Sequence, residues 1–286
     1  MSNAFDNTVL IITGAASGMG REMAIQAAQK PNCRVIGCDI NQHELEKTKV
    51  LAGGNIEVFH LDVADFDAIK HFSKSVIPTL NGKKLVLINN AGVALAAGTF
   101  HDTPMEDFDW LININLYGVV RMTKVFLPYM LEHNQGHIIT ISSIFGLAGA
   151  EFNSAYCTSK FANRGFTEVL RMELIDTKIR TTVVHPGGVR TNVTNNSRAA
   201  GTAITNEIHL QVKEQFNKTA MTSASKAAKK ILHCVETGRR RLLIGIDGSI
   251  TDLMVRLFPV KYTRMMMRGL RHTFGNPYDD KKNKKT

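Results

Sequence analysis

The centre of the chain carries polar residues whose types and spacing suit proton transfer at an alcohol oxygen. Tyr156 and Lys160 lie one helical turn apart and would share a helix face. A free phenol has a pKa near 10, and a neighbouring ammonium favours the phenolate, so the pair could act as a general acid or base. Ser143, 13 residues earlier, follows an apolar run and could hold the reacting oxygen. Taken alone, Tyr156 and Lys160 are also typical of an exposed helix surface.

A glycine-rich turn near the N-terminus predicts a pyrophosphate site. It follows the apolar run 8–12 and opens a helical pattern, so a helix N-terminus would present free N–H groups to an anion. Glycines there allow the tight turn and a close approach of backbone to ligand. We expect cofactor contacts from Gly14, Ser17, Gly18, Met19 and Gly20.

The acidic residue after the second apolar run bears on which dinucleotide binds. Asp39 could accept hydrogen bonds from the adenosine ribose hydroxyls and would repel a 2′-phosphate. The segment Thr13–Gly20 and the residues directly after Asp39 contain no Arg or Lys. NAD is therefore favoured over NADP. Asp39 could equally be a helix N-cap.

The elements that must position these residues alternate along the chain. Seven short apolar runs, near residues 8, 34, 56, 84, 137, 180 and 241, are separated by helical patterns, among them 42–51, 105–132, 155–176 and 223–236. Parallel strands need crossover helices, so the pattern predicts a doubly wound α/β domain with helices on both faces. We expect one catalytic domain at 6–250 and a C-terminal extension at 251–286.

Several motifs occur together in the order that resembles the short-chain dehydrogenase/reductase family. They include Gly14-x₃-Gly18-x-Gly20, Asp62-Val63, Asn89-Asn90-Ala91-Gly92, Asn115, Ser142-Ser143, Tyr156-x₃-Lys160, Pro186-Gly187 and Thr191. The resemblance covers about residues 8–250. It implies a Rossmann-like fold and hydride transfer between NAD(P) and a carbonyl/alcohol pair. Its spacing favours Ser143 over Ser142 as the catalytic hydroxyl.

The resemblance also implies a role for each matching residue. Asn115, Ser143, Tyr156 and Lys160 would be catalytic, with Asn115 holding a water that links Lys160 to solvent. Asp62 and Val63 would contact the adenine. The adenosine ribose side would be contacted by Asn90, Ala91 and Gly92. Lys160 would reach the hydroxyls of the nicotinamide ribose. The nicotinamide end would bind at Pro186, Gly187, Val189 and Thr191. Asn89 is expected to tie neighbouring strands together, and His185 could line the site.

The predicted substrate side is apolar. Phe145, Leu147, Ala148, Ala150 and Phe152 lie between Ser143 and Tyr156, and the segment 93–97 adds apolar wall. The long connection 192–222 predicts a lid with an apolar face, formed by Ile204, Ile208, Leu210, Val212 and Phe216. We therefore expect a hydrophobic alcohol or carbonyl substrate. The alternatives are a ketoacyl-type NADPH reductase and a catalytically idle NAD(H)-sensing protein.

The charge is concentrated at one end of the chain. The net charge is +10; residues 1–217 carry 19 basic and 20 acidic residues, whereas 218–286 carry 16 and 5. Because the body is neutral and no recognised module accompanies the basic end, nucleic-acid binding is disfavoured. The basic end predicts an amphipathic helix with Lys261, Arg264, Arg268 and Arg271 in one stripe. It could dock on a partner subunit, on its own domain or on an anionic membrane surface.

The remaining composition predicts an intracellular enzyme without metal. Four cysteines and ten histidines show no metal-ligand grouping, and the cysteines fit a reducing compartment. No apolar stretch reaches the length of a membrane span. We expect a cytoplasmic homo-oligomer, a dimer or tetramer, with membrane association through the tail as an alternative.

Overall fold

The computed structural model describes residues 4–96, 98–190, 197–200, 214 and 220–274. Its main sheet is wholly parallel and has the strand order β3-β2-β1-β4-β5-β6-β7. The strands are β1 (Thr8–Thr13), β2 (Cys33–Asp39), β3 (Glu57–His60), β4 (Lys84–Asn89), β5 (Gly136–Ile141), β6 (Ile179–Pro186) and β7 (Arg241–Ile244). The order reverses between β1 and β4, which places a crevice at the carboxyl ends of these two strands.

Helices cover both faces of the sheet, as the alternation of patterns predicts. They are α1 (Gly18–Ala28), α2 (Gln42–Leu51), α3 (Phe66–Val76), α4 (Met105–Ile112), α5 (Gly118–Glu132), α6 (Ser154–Glu173), α7 (Ala224–Thr237), α8 (Ile246–Leu257) and α9 (Tyr262–Phe274). Successive residues of β1 point to opposite faces, so Leu10 and Ile12 pack with α1 and α7, while Val9 and Ile11 pack with α3 and α5. The predicted doubly wound, Rossmann-like fold is confirmed.

The segment predicted as one helix at 105–132 is interrupted. A π-helical turn at Asn113–Tyr117 separates α4 from α5. Such a turn inserts an extra residue into the helix and is common at functional sites. The hydrophobic pattern continues through it, which is why periodicity alone does not reveal the break.

The C-terminal helices contact the body of the protein. The boundary expected at residue 250 lies inside α8, which is tied to β7 by the ion pair of Arg241 with Asp252 at 2.5 Å. The Gly149 N–H donates to the Tyr262 hydroxyl at 3.2 Å, and Arg271 pairs with Glu151 at 2.8 Å. Of the predicted partners for the tail, the protein's own domain is therefore contacted. No described helix is long and apolar enough to cross a bilayer.

Candidate active site

Tyr156 and Lys160 lie in the first two turns of α6. Their side chains lie together, with the Lys160 Nζ 5.4 Å from the centroid of the Tyr156 ring. Burial raises the pKa of Tyr156 to about 12, against a smaller lowering by its hydrogen bond with Ser143. Burial lowers the pKa of Lys160 to about 8. In the chain without cofactor, the phenol is therefore neutral and the lysine is charged near neutral pH.

The two serines after β5 have different partners. The Ser142 hydroxyl donates to the Lys160 carbonyl at 2.7 Å and so joins β5 to α6. Ser143 lies close enough to the Tyr156 phenol to lower its pKa, and the Ser143 Oγ accepts from the Phe145 N–H at 3.1 Å. Because the Ser142 hydroxyl is already committed, the arrangement favours Ser143 as the predicted substrate-binding hydroxyl.

His185, which the sequence suggests as a site-lining residue, contacts the main chain of Ser143. It is fully buried on β6, and its Nδ1 lies 2.9 Å from the Ser143 carbonyl oxygen. Burial lowers the pKa of His185 to about 4, so the ring is neutral near pH 7 and Nδ1–H can donate to that carbonyl.

Asn115 lies in the π-helical turn beside Lys160. Its amide oxygen accepts from the Val93 N–H at 2.8 Å and its amide nitrogen donates to the Val93 carbonyl at 2.9 Å. A Cβ placed on Gly92 would lie 3.2 Å from the Asn115 Oδ1 and 3.5 Å from the Lys160 Nζ, so the three residues meet. The side chain of Asn115 thus holds the chain after β4, and its main-chain carbonyl accepts from Asn163 at 2.9 Å.

The glycine-rich turn has the space and the donors that a pyrophosphate needs. A Cβ on Gly20 would lie 2.0 Å from the Gly14 carbonyl oxygen, and Gly14 has a φ of +70°. Side chains of Asn41, Asp65 and Ser223 cap α2, α3 and α7, whereas Ser17 makes no such bond at the start of α1. The first turn of α1, which includes Gly18, Met19 and Gly20, contains no acidic residue, so its N–H groups remain suited to an anion.

Asp39 closes on this turn from the end of β2. One carboxylate oxygen accepts from the Ala16 N–H and the other from the Asn41 N–H, both at 2.9 Å. The N-cap of α2 is Asn41, so Asp39 is not the cap. Asp39 instead accepts a hydrogen bond from the main chain just before the helix. Arg21 directly follows the glycine-rich turn, and its guanidinium pairs with Glu44 at 2.7 Å. Hydrogen bonds from Lys47 and Arg21 lower the pKa of Glu44 to about 2, so that carboxylate stays ionised.

The tie between β1 and β4 is made by Asn90, and the expectation for Asn89 is wrong. The Asn89 side chain donates to Thr123 on α5 at 3.1 Å. The Asn90 side chain donates to the carbonyls of Thr13 and Gly14 at 3.0 and 3.2 Å. The Thr13 hydroxyl, which the motif did not include, accepts from the N–H groups of Asn90 and Ala91 at 3.0 Å each. Strand alternation explains the difference, because neighbouring side chains point to opposite faces.

Asp62 and Val63 follow β3 at the same edge of the sheet. The Asp62 carboxylate accepts from the Ala64 N–H at 2.8 Å, which forms a turn. Val63 is buried against Gly118 at the start of α5. Both residues therefore lie beyond the carboxyl end of β3, with Val63 against the start of α5.

The turn after β6 is held by a carboxylate that the sequence reasoning missed. The Gly188 N–H donates to Asp247 at 2.6 Å, and a Cβ on Gly187 would lie 2.1 Å from the same Oδ2. Pro186 ends β6, and Val189 is buried beyond the turn. Asp247 is 59 residues from Gly188, so no local pattern signals the pairing. Thr191 lies outside the described residues.

Apolar side chains surround the Tyr156 ring. Phe145 packs edge-on against it with ring centroids 6.3 Å apart. Leu95, Leu111, Ala155 and Ala200 form a small buried cluster on which Tyr156 packs, and a recess beside the ring is lined by Leu95, Thr103 and Phe152. Leu147 and Ala148 are buried and Ala150 is half-buried. Ala97 and the five apolar residues predicted for the lid lie outside the described residues.

Comparisons with known proteins agree with this arrangement. The family model described as short chain dehydrogenase matches residues 8–202. A Mycobacterium tuberculosis protein named as an oxidoreductase, SadH, is 34% identical over 278 residues, which cover 95% of this chain and 98% of that protein. The solved closed form of serine dehydrogenase complexed with NADP+ superposes with a TM-score of 0.74 at 26% identity, covering 82% of this chain and 94% of its own. A short-chain dehydrogenase/reductase from Burkholderia phymatum, solved in complex with NAD, has a TM-score of 0.76 at 24% identity, with coverage of 93% and 97%.

Proposed function

Since this chain belongs to the short-chain dehydrogenase/reductase family, whose oxidoreductases act on CH–OH groups with NAD(P), we propose that it interconverts a hydrophobic alcohol and its carbonyl with NAD. The observation that carries the proposal is the cluster of buried Ser143 and Lys160 with partly buried Tyr156 at the carboxyl edge of the sheet. Ligands bind at this edge in doubly wound folds.

The proposed roles follow from the contacts. Ser143 holds the substrate oxygen beside the Tyr156 phenol, which takes the hydroxyl proton during oxidation and returns it during reduction. A bound oxidised nicotinamide would supply the hydride acceptor and a second positive charge near the phenol. Lys160, charged below a pKa of about 8, stabilises the phenolate electrostatically, and the Asn115 turn beside it is the proposed start of a proton path to solvent.

The glycine-rich turn fits a dinucleotide, and the residues around Asp39 favour NAD. A 2′-phosphate would meet a carboxylate already fixed by the Ala16 and Asn41 N–H groups. Arg21, the cation that could offset this repulsion, already donates hydrogen bonds to Glu44, Thr48 and the Ala16 carbonyl. Gly14, Ser17, Gly18, Met19 and Gly20 would hold the pyrophosphate. The Asp247-braced turn at Pro186, Gly187 and Val189, with Thr191, would hold the nicotinamide end.

The surroundings of Tyr156 support an apolar substrate. Phe145, Leu95 and Phe152 line the space beside the ring. The polar side chains among the described residues that line this recess are those of Thr103, Asn153, Ser154 and Tyr156. None of these described residues is a lysine or an arginine. A carboxylate or phosphate on the reacting part of the substrate would therefore lack a cationic partner among these residues.

A homo-oligomer is also proposed, through the outer face of α6. Phe161, Val169 and Met172 are exposed and share one side of this helix. Tyr117 is exposed at the end of the π-helical turn, and Leu131 is exposed on α5. Exposed apolar residues at helical spacing are typical of a surface covered by another subunit. Analytical ultracentrifugation of wild type and Val169→Asp tests it, since the variant should shift the protein to a smaller species.

The activity is tested with a panel of aliphatic, aromatic and polycyclic alcohols, followed by NADH absorbance. Wild type should turn over at least one apolar alcohol and should prefer NAD+ to NADP+. Tyr156→Phe should lose at least about a hundredfold in kcat while binding NAD+ normally. Tyr117→Phe, the same exchange at an exposed tyrosine, is the matched control. Full turnover by Tyr156→Phe would refute its role, and tighter NADP+ binding would favour an NADPH-dependent reductase instead.

A further inference from the structure

Helix α8 exposes a continuous apolar stripe. Ile246, Ile250, Leu253 and Leu257 recur at spacings of four, three and four residues and so share one side of the helix. They are 71%, 60%, 58% and 61% exposed, respectively. The opposite side of α8, with Gly248 and Thr251, is buried against the body. The stripe therefore points away from the protein's own core.

The connection from α8 to α9 extends this surface and surrounds it with positive charge. Phe258 and Val260 are 44% and 77% exposed. Arg256 and Lys261 are exposed next to them, and Arg264 and Arg268 are exposed on α9. We call this set, from Ile246 to Arg268, the α8–α9 surface.

The acidic residues of these two helices face inward. Asp247 accepts from the Gly188 N–H, and Asp252 pairs with Arg241 and Arg256. Hydrogen bonds from Arg241 keep the pKa of Asp252 below its ordinary value, so its charge is balanced within the body. The outward-facing charge of the α8–α9 surface is accordingly positive.

The charge decides what covers the stripe. A second copy of the chain would bring two surfaces of the same sign together, from the part of the sequence with 16 basic and 5 acidic residues. An anionic lipid surface provides the opposite charge and an apolar interior for the stripe. We propose that the α8–α9 surface docks on the face of an anionic lipid bilayer, with the α8 stripe inserted among the acyl chains.

The position of this surface bears on how substrate reaches the site. Helix α8 begins at the residues that brace the turn after β6, through Asp247. Helix α9 contacts Gly149 and Glu151, which lie in the loop between Ser143 and Tyr156. Docking would therefore hold the substrate side next to the bilayer, where an apolar alcohol is concentrated. This last step rests on the proposed function, whereas the docking itself does not.

The test is sedimentation of the full-length protein with vesicles of phosphatidylcholine, either pure or containing about one third phosphatidylserine. Wild type should pellet with the anionic vesicles and stay in the supernatant with the neutral ones. Ile250→Asp combined with Leu253→Asp should lower binding at least about tenfold, because two charges would enter the acyl region. Val50→Asp, at a residue that is 77% exposed on α2, makes the same kind of change elsewhere and should bind like wild type.

Changes of charge give a second readout. Replacing Lys261, Arg264 and Arg268 by glutamine should weaken binding to anionic vesicles by roughly fivefold per residue. None of these variants touches the proposed catalytic residues, so each should turn over a water-soluble alcohol at the wild-type rate without vesicles. If wild type turned over no alcohol, that result would count against the proposed function. The vesicle experiment would still decide whether the α8–α9 surface docks on lipid.

Three outcomes would overturn the proposal. Wild type that stays in the supernatant with anionic vesicles does not dock. A double aspartate variant that pellets like wild type would show that α8 is not the inserted element. A double variant that becomes smaller in ultracentrifugation, while wild type binds no vesicles, would assign the stripe to contact between subunits.

Discussion

Replacing Lys160 by methionine should make the protein more stable while it loses activity. The Lys160 side chain is buried, and burial lowers its pKa from 10.5 to about 8. This shift corresponds to about 3 kcal/mol of stability lost to keeping the ammonium inside the folded protein. Methionine has a similar length and no charge. It forfeits the hydrogen bond from Nζ to the Ile141 carbonyl, which is 3.1 Å long and contributes about 1 kcal/mol.

The net gain, about 2 kcal/mol in the free energy of unfolding, should depend on pH in a defined window. The unfolded lysine keeps its proton up to pH 10.5, whereas the folded one loses it near pH 8. Wild type therefore binds fewer protons folded than unfolded between these values, and its stability rises with pH there. The advantage of Lys160→Met should be constant below pH 8, should shrink as the pH rises above 8, and should become a deficit of about 1 kcal/mol above pH 10.5, where only the lost hydrogen bond remains.

The difference in the free energy of unfolding is measured by urea unfolding of both proteins at pH values from 6 to about 10. Thermal melts give the melting temperatures. At pH 7 the melting temperature should rise by about 4–8 °C. Activity should fall by at least about a hundredfold, since the phenol loses its charged neighbour. Lys74→Met, the same exchange at an exposed lysine, should change stability little at any pH. A Lys160→Met protein that is less stable than wild type at pH 7, or whose gain does not change with pH, would refute the assignment of a buried ammonium.

Three further changes probe the dinucleotide site. Asp39→Asn removes the negative charge at the proposed ribose site. The ratio of NAD+ to NADP+ affinity, measured by calorimetry, should therefore fall about tenfold. An unchanged ratio would show that Asp39 does not select the cofactor. Gly20→Ala puts a methyl group against the Gly14 carbonyl. The free energy of unfolding should fall by at least about 2 kcal/mol, and NAD+ binding should be lost. A melting curve like that of wild type would contradict the close packing. Asp247→Ala releases the turn at Gly188 and should raise the KM for NAD+ about tenfold. Asp247→Asn keeps an acceptor oxygen and should raise this KM far less. Equal effects of the two variants would show that the hydrogen bond does not hold the turn.

The order and type of the main elements follow from local sequence. Apolar runs such as the one at Thr8–Thr13 reflect burial because strands buried on both faces are continuously apolar. Helical periodicity such as that at Phe66–Val76 reflects burial of one side of the helix. Parallel strands end at one edge of the sheet, so the positions of Gly14, Asp39, Asn90, Ser143 and Gly187 after five strands already predict that they gather there.

Other features depend on packing between distant segments. The spacing of Tyr156 and Lys160 predicts that the two side chains meet, but their pKa values depend on how completely the fold removes water from them. Which of Asn89 and Asn90 joins β1 to β4 depends on the direction in which each side chain leaves the strand. The π-helical turn around Asn115 leaves the hydrophobic pattern unchanged and is seen only in the backbone of the folded helix.

What the sequence alone determined is therefore the fold class, the dinucleotide turn and the set of polar residues at the carboxyl edge, since each is encoded by residues close together in the chain. Only the tertiary structure brought Asp247 to Gly188, placed His185 behind Ser143, and left the α8 stripe exposed while burying its opposite side. The physical reason is that exposure, desolvation and long-range hydrogen bonding are properties of the packed chain. The same apolar residues of α8 would read alike in the sequence whether they faced the core or the surroundings.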